Sequence, residues 1–216
     1  MHSLRRTLRS GAAVLVLVGA MAAPAAAQGF AINAQGGYFA MTASDSAQAV
    51  FGSSGGFTPG GALSYGFGKH LYVEAGARYF SKTGEKVFVA APGDPVFKLG
   101  FPLQAHLTPI YGTLGYRFMG GKSAFVPYLG AGGGVTSYHE ESTVAGITTS
   151  ESQSKASFHG LLGLEYGRGH LRFAVEGIYT AVPNAIGVGG VSKVYGEDDL
   201  GGFVALGKLI YSFGTR

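Results

Sequence analysis

The sequence predicts an all-β protein, an eight-stranded antiparallel up-and-down transmembrane β-barrel with short periplasmic turns and long external loops. Three observations predict it. Apolar residues recur with period 2 through eight segments, which is the strand period. The connections between those segments alternate short and long along the chain. Tyr and Phe gather at the two ends of the apolar faces instead of along their middles.

Composition supports each point. Glycine supplies 38 of 216 residues, Tyr 12, Phe 15 and Trp none. Charged residues are 13% of the chain, about half the usual share of roughly 25%. Glycine and aromatics disfavour helix relative to Ala and Leu. After Ala27 no run of 18 apolar residues occurs, so no membrane-crossing helix is expected. Lipid offers backbone N–H and C=O groups no partners, so the remaining way to cross is a closed barrel. There is no cysteine, and stability must come from burial and backbone pairing without disulfides.

The first 27 residues read as a leader. Arg5, Arg6 and Arg9 form a positive segment, Gly11 to Ala23 an apolar run, and Ala25-Ala26-Ala27 a small-residue cleavage site before Gln28. Residues 1–27 are therefore expected to be a cleaved signal peptide and residues 28–216 one barrel domain in the outer membrane of a Gram-negative bacterium. Three of the 16 basic residues lie in that leader, and the rest nearly balance 12 acidic ones. No basic patch argues for nucleic acid.

The strands are expected at about 30–41, 57–67, 71–81, 108–118, 125–138, 155–166, 171–181 and 202–213. Gly68-Lys69-His70, Met119 to Ala124 and Gly167-Arg168-Gly169-His170 are short glycine-bearing turns. The segments 42–56, 82–107, 139–154 and 182–201 are the long loops. They hold Asp45, Asp94, Glu140, Glu141, Glu197, Asp198 and Asp199. In an up-and-down barrel this alternation puts every short turn at one rim and every long loop at the other.

Six strands carry one face without charge, such as Leu171, Phe173, Val175, Gly177 and Tyr179 in the seventh. Lipid requires this, since a charge at mid-bilayer costs about 2–4 kcal/mol. Tyr65, Phe67, Tyr116, Phe118, Tyr166, Tyr211 and Phe213 sit beside short turns or the C-terminus. Tyr38, Tyr79, Phe158 and Tyr179 sit beside long loops. Two such bands read as interfacial aromatic girdles.

The stretch Pro127-Tyr128-Leu129-Gly130-Ala131-Gly132-Gly133-Gly134-Val135 resembles a strand of the small outer-membrane β-barrel family of OmpA/OmpX-like, porin-family domains. Leu114-Gly115-Tyr116-Arg117-Phe118 and the hairpin Tyr65-Gly66-Phe67-Gly68-Lys69 resemble it too. The resemblance covers the layout of residues 28–216. It departs at the end, where Gly214-Thr215-Arg216 follow the Phe213 that would close a typical barrel of this family.

The faces opposite the apolar ones carry Glu74, Arg78, Arg117, Glu165, Arg172, Glu176 and Lys208, which a barrel would turn into its lumen. An eight-stranded barrel is just wide enough for side chains to fill, and buried charges there must pair. Depth counted from the turns predicts Glu165 with Arg172, Glu74 with Arg117, and Glu176 with Lys208. A plug of salt bridges is favoured over a gated ion path.

Catalysis is not expected. Ser157 and His159 share the inward face, but the next acid on it, Glu165, is six residues or roughly 20 Å on. His70, His139 and His170 show no metal-ligand spacing, and no cofactor is expected. The expected role is therefore structural or surface-interactive, with a largely plugged lumen. The expected partners are outer-membrane lipid and lipopolysaccharide, the barrel-assembly machinery, and an external ligand at the long loops, with the protein a monomer. The alternatives are a channel for small or hydrophobic solutes, or a soluble periplasmic lipocalin-like lipid binder with the apolar face turned inward.

Overall fold

A computed structural model of the chain describes residues 29–119, 123–144 and 146–213. The leader, the centre of the turn at 120–122 and the tail at 214–216 lie outside the described residues, so the cleavage site and the displaced terminal aromatic stand as expectations. The elements in chain order are β1 (Phe30–Met41), α1 (Ser44–Phe51), β2 (Gly55–Phe67), β3 (Leu71–Arg78), β4 (Phe80–Phe88), β5 (Phe97–Arg117), β6 (Phe125–Val144), β7 (Ile147–Arg168), β8 (Leu171–Ala181), α2 (Gly190–Tyr195) and β9 (Gly202–Ser212).

All pairings are antiparallel. The order β3-β2-β1-β9-β8-β7-β6-β5-β4 is closed by β3 pairing with β5. β1 lies against β9 in the register Gln35↔Lys208, and β3 against β5 in the register Glu74↔Thr113. β3 and β4 are one stave of the barrel interrupted at Tyr79, whose N–H turns back to the Pro59 carbonyl. Nine strands thus make a ring of eight staves, and closure leaves no unpaired edge in the ring.

Among the described residues, the turns at one rim follow the expected glycine chemistry. Gly68 and Gly169 hold φ of 63° and 70°, the left-handed region that glycine enters without steric cost. The other rim departs from expectation. Segment 82–107 is mostly the hairpin of β4 and β5, and segment 139–154 is the far end of the β6–β7 hairpin, paired out to Val144↔Ile147. β5 and β6 also remain paired out to Leu103↔Ser142. The two hairpins therefore rise from the ring as one continuous four-stranded blade.

The reason is physical. A strand that leaves lipid no longer needs an apolar face, so along the end of β6–β7 the period-2 signal fades while ladder pairing continues, whereas on β5 it persists in Phe97, Leu99, Phe101 and Leu103 but is punctuated by Gly100 and Pro102. Thr143, Thr148 and Thr149 instead supply the branched side chains that suit a strand. The segments 42–56 and 182–201 hold the short helices α1 and α2, which pack against each other and against β4.

The exterior is apolar. Leu114, Leu129, Leu162, Val175 and Leu209 are all exposed, Leu162 by 71%. The seven charges Glu74, Arg78, Arg117, Glu165, Arg172, Glu176 and Lys208 are all buried inside the ring. This inverts a soluble protein and overturns the lipocalin alternative, which needs the apolar face within. On β7 the outward aromatics Phe158 and Tyr166 lie eight residues apart, about 26 Å along the strand and about 20 Å in height at the usual tilt.

Candidate functional site

The lumen is filled in tiers along the inward positions of the staves. Nearest the short turns, Glu165 on β7 accepts from Arg117 on β5 at 3.2 Å and is ion-paired with Arg172 on β8 at 2.5 Å. The Arg117 guanidinium also lies over the Tyr72 ring, 4.2 Å from its centroid. Gly115 makes room for that ring, since a Cβ there would fall 2.1 Å from it.

The next tier is a chain of polar contacts across the barrel. Asn33 Nδ2 donates to Glu74 Oε2 at 3.1 Å. Lys208 Nζ reaches Glu74 Oε1 and Glu176 Oε2, each at 2.9 Å. Tyr128 donates its phenol proton to Glu176 at 2.9 Å. Above it, Gln35 Nε2 donates to the Tyr111 hydroxyl at 2.7 Å. Arg78 lies over the Tyr111 ring at 4.6 Å, and Thr113 Oγ1 and His159 Nε2 are 2.8 Å apart.

The structure brings together Glu165 with Arg172 and Glu176 with Lys208. It does not join Glu74 to Arg117. Opposite Arg117, the residue that shares its backbone bonds is His70, whereas Glu74 lies opposite Thr113. Arg117 and Glu74 thus differ in depth by about four residues, roughly 13 Å along a strand. Counting from separate turns ignored the stagger between tilted staves. Arg117 reaches across to β7 instead, and Glu74 reaches across to β9. Ser157 and His159 are both buried. His159 is engaged by Thr113, and Glu165 by two arginines.

The outer end of the lumen is packed with different material. Phe39, Met41, Phe80, Leu107, Val182, Leu200 and Val204 are buried there, with Phe39 and Phe80 edge to face at 5.0 Å. Ala47 of α1 and Ala185 of the 182–201 segment join this cluster. Two acids from that segment hold the lid. Glu197 accepts from the backbone N–H of Asp45 at 3.0 Å and of Ser46 at 2.9 Å. It thereby caps α1, which makes no side-chain cap bond of its own and favours a carboxylate at its N-terminus. Asp199 Oδ1 accepts from Val182 N at 2.7 Å and Gly201 N at 2.5 Å. Sequence reasoning missed these roles. Glu197 and Asp199 were legible as loop acids, but their backbone partners are fixed by tertiary folding.

On the exterior, Tyr38, Tyr79, Phe158 and Tyr179 point outward below the blade, joined by Phe57 and Phe203. At the short-turn rim the contacts run Tyr65–Phe67, Tyr116–Phe118, Phe125–Tyr166, Tyr211–Phe213 and Phe213–Phe30. His70 stacks on Tyr116 and His170 on Tyr211. Each of these histidines also places Nδ1 on a carbonyl of the neighbouring stave, Arg117 at 2.7 Å and Ser212 at 2.8 Å. Both histidines precede a leucine that opens the next stave, Leu71 and Leu171, and the two turns share this local structure.

Beside the blade lies an open groove of about 930 Å³. It is lined by Asp45, Phe51, Thr83, Glu85, Lys98 and Tyr195 among others, with Lys98 and Glu85 paired at 3.2 Å. On the blade, Tyr138 donates to Glu140, and burial together with that carboxylate pushes its phenol well above the usual range. Among the described residues no group of three His, Cys, Asp or Glu is placed to hold a metal.

A closed eight-stave ring with an apolar exterior and a charged interior is the architecture of an outer-membrane barrel, and the sequence agrees. Residues 10–185 match the outer membrane protein beta-barrel domain family. The chain belongs to that family. It is an outer-membrane protein of a Gram-negative bacterium. Two solved structures share the fold. Neisserial surface protein A is 17% identical, aligning 85% of this chain with 97% of that one at a TM-score of 0.54. OprG from Pseudomonas aeruginosa is 18% identical, aligning 87% of this chain with 97% of that one at a TM-score of 0.52. The chain has no detectable relative among curated proteins.

Proposed function

We propose that this barrel has a structural and surface-interaction role, with a closed lumen and no catalytic activity. The observation that carries the reading is the division of the molecule into a filled ring and a projecting blade. Ion-pair tiers and an apolar lid occupy the lumen, while the β4–β5 and β6–β7 hairpins and the groove beside them stand free above the outer aromatic band. Function on a scaffold sits where rigid elements present variable surface, and here that surface is the blade.

Under this reading the two aromatic bands anchor the protein at the two membrane interfaces, with lipid and lipopolysaccharide as its immediate neighbours. The assembly machinery delivers it, and it works as a monomer. The external ligand is met at the groove lined by Phe51, Lys98 and Tyr195. The lumen charges serve closure, and Ser157 and His159 serve packing.

The test has two arms. Wild-type protein in planar bilayers is expected to show no steady conductance. Cells displaying a barrel whose residues 86–98 and 141–151 are replaced by tight turns are expected to lose adhesion to neighbouring cells or host matrix, with unchanged heat-modifiable gel migration. Large stable channels in the wild type overturn the closed lumen. Equal adhesion by both strains, or loss of hydrophobic-solute uptake in its place, overturns the surface role in favour of transport.

A further inference from the structure

The groove beside the blade follows one helix. Asp45, Gln48, Ala49 and Gly52 line it, at the spacing i, i+3, i+4 and i+7 that marks one face of a helix. Ser46 and Ala47, on the other side of α1, are buried. The groove thus runs the length of α1, eight residues or about 12 Å. At one end stands Tyr195, the last residue of α2, close to Glu197, which holds the backbone N–H groups of Asp45 and Ser46. At the other end stands Phe51, the last residue of α1. The facing wall is the β4–β5 hairpin, with Thr83, Glu85, Val96 and Lys98.

The wall mixes polar groups with ring surfaces, and several of its polar groups are available. Glu85 and Lys98 satisfy each other at 3.2 Å. Asp45 is held through its backbone N–H alone, so among the described residues its carboxylate has no partner. Gln48 donates Nε2 to the Gly52 carbonyl at 2.9 Å and keeps Oε1 as an acceptor. The hydroxyls of Thr83 and Tyr195 have no partner among the described residues either. The ionisable groups on the wall are Asp45, Glu85 and Lys98 with the Tyr195 phenol, which leaves one acid in excess. Lys82, nearby on β4, does not redress this, because its ammonium is engaged by Ser53 and lies 5.8 Å from the centre of the Phe51 ring.

We propose that this groove binds an uncharged oligosaccharide, an inference that rests on the surface-interaction reading and names its ligand class. A sugar ring has an apolar C–H face and a rim of hydroxyls. The faces suit the rings of Phe51 and Tyr195, and the hydroxyls donate to the Asp45 carboxylate and Gln48 Oε1. The groove measures about 930 Å³, near the top of the roughly 300–1,000 Å³ range of ligand clefts, so it takes more than one ring. Other classes fit the same wall less well. An apolar solute would strip water from Asp45 and give it no partner. A sulfated or phosphorylated glycan would meet acid in excess. An extended peptide needs an even strand edge to pair with, and β4 shifts register between Glu85 and Val87, a bulge that blunts an edge. The saccharide has two possible sources, the bacterium's own lipopolysaccharide or the glycan of another cell.

The experiment uses the full barrel refolded in detergent and passed over immobilised probes. These are uncharged hexose and N-acetylhexosamine oligosaccharides of host type, sulfated heparin fragments, extended basic peptides, and the polysaccharide of the bacterium's own lipopolysaccharide freed of lipid A. Saturable retention by uncharged saccharide, with none by heparin fragments, is expected. Asp45→Asn and Tyr195→Ala are each expected to weaken it about tenfold with unchanged heat-modifiable migration. Phe51 is left intact because it packs on the lid cluster. Retention by the bacterium's own polysaccharide alone assigns the ligand to the envelope, and retention by host-type oligosaccharides alone assigns it to another cell. No retention by any uncharged saccharide, retention unchanged in either variant, equal retention by heparin fragments, or retention by peptides in place of saccharide overturns the proposal. Adhesion lost on blade replacement while no saccharide is bound overturns this site and leaves the surface role standing.

Discussion

In the closed lumen proposed above, the two ends are packed with opposite chemistry. Toward the short turns the closure is ionic and sits entirely on the staves. Glu74 of β3 reaches Lys208 of β9, and Glu165 of β7 reaches Arg117 of β5, each across intervening staves. Toward the blade the closure is apolar and sits partly on connecting segments, fastened to the backbone by Glu197 and Asp199. The difference teaches where each end can yield. An ion pair strung between staves is lost only when the ring deforms, so that end is as stable as the barrel. A lid whose residues are fixed by a few hydrogen bonds can open locally while the ring stands.

The largest break in this comparison comes from Lys208. Lys208→Met leaves Glu74 and Glu176 facing each other without a cation, and removing one partner of a buried pair costs about 3–5 kcal/mol. The expected result is failure to assemble or a large fall in unfolding temperature on heat-modifiable gels. Adding Glu74→Gln and Glu176→Gln should recover most of the loss, because a neutral tier has no stranded charge. No recovery would mean that the tier acts through shape and not through charge.

Next in size is the same kind of charge on the opposite face. Leu162→Arg puts a guanidinium on an outward position 71% exposed, where lipid makes it cost about 2–4 kcal/mol. Folding efficiency into lipid vesicles should fall accordingly. Arg117 and Arg172 are tolerated on inward positions because Glu165 meets them. Equal folding of wild type and variant would deny that this face meets hydrocarbon.

A smaller and more local effect is expected at the lid. Glu197→Ala removes both acceptors at the N-terminus of α1, worth about 1–2 kcal/mol. If the lid is a local unit on connecting segments, the barrel's unfolding temperature should barely move, while protease added outside cuts within 182–201 faster. A fall in barrel stability equal to that of Lys208→Met would erase the distinction between the two ends.

The sequence made the ring legible and left its stagger hidden. Period-2 alternation located the staves, because lipid imposes a strict contrast between Leu164 and Glu165 or between Phe173 and Arg172. It placed the seven lumen charges on the inward side for the same reason. It paired Glu74 with Arg117 wrongly, since contacts across a lumen depend on shear, which no single strand encodes. It read the blade as loops because the end of β6–β7 is polar on both faces, and because Gly100 and Pro102 punctuate β5 even though Phe97, Leu99, Phe101 and Leu103 keep its period 2.

The smallest expected effect lies at the short-turn rim, where the two histidines act alike. His170 stacks on Tyr211 and holds the Ser212 carbonyl with Nδ1 at 2.8 Å, while its own carbonyl accepts from Ser212 N–H at 2.8 Å. The ring nitrogen therefore adds one bond to a ladder that the backbone already makes. His170→Phe keeps the aromatic face and deletes only that bond, which is worth about 0.5–1.5 kcal/mol. It should come out near the lower end of that range, because the site is part-buried and water can reach the freed carbonyl. The urea midpoint in lipid vesicles should fall slightly, with insertion and gel migration unchanged, and His70→Phe at the matching position should do the same. If either variant abolished assembly, the histidine would be fixing the register of its stave. The short-turn rim would then depend on side chains as much as the lid does.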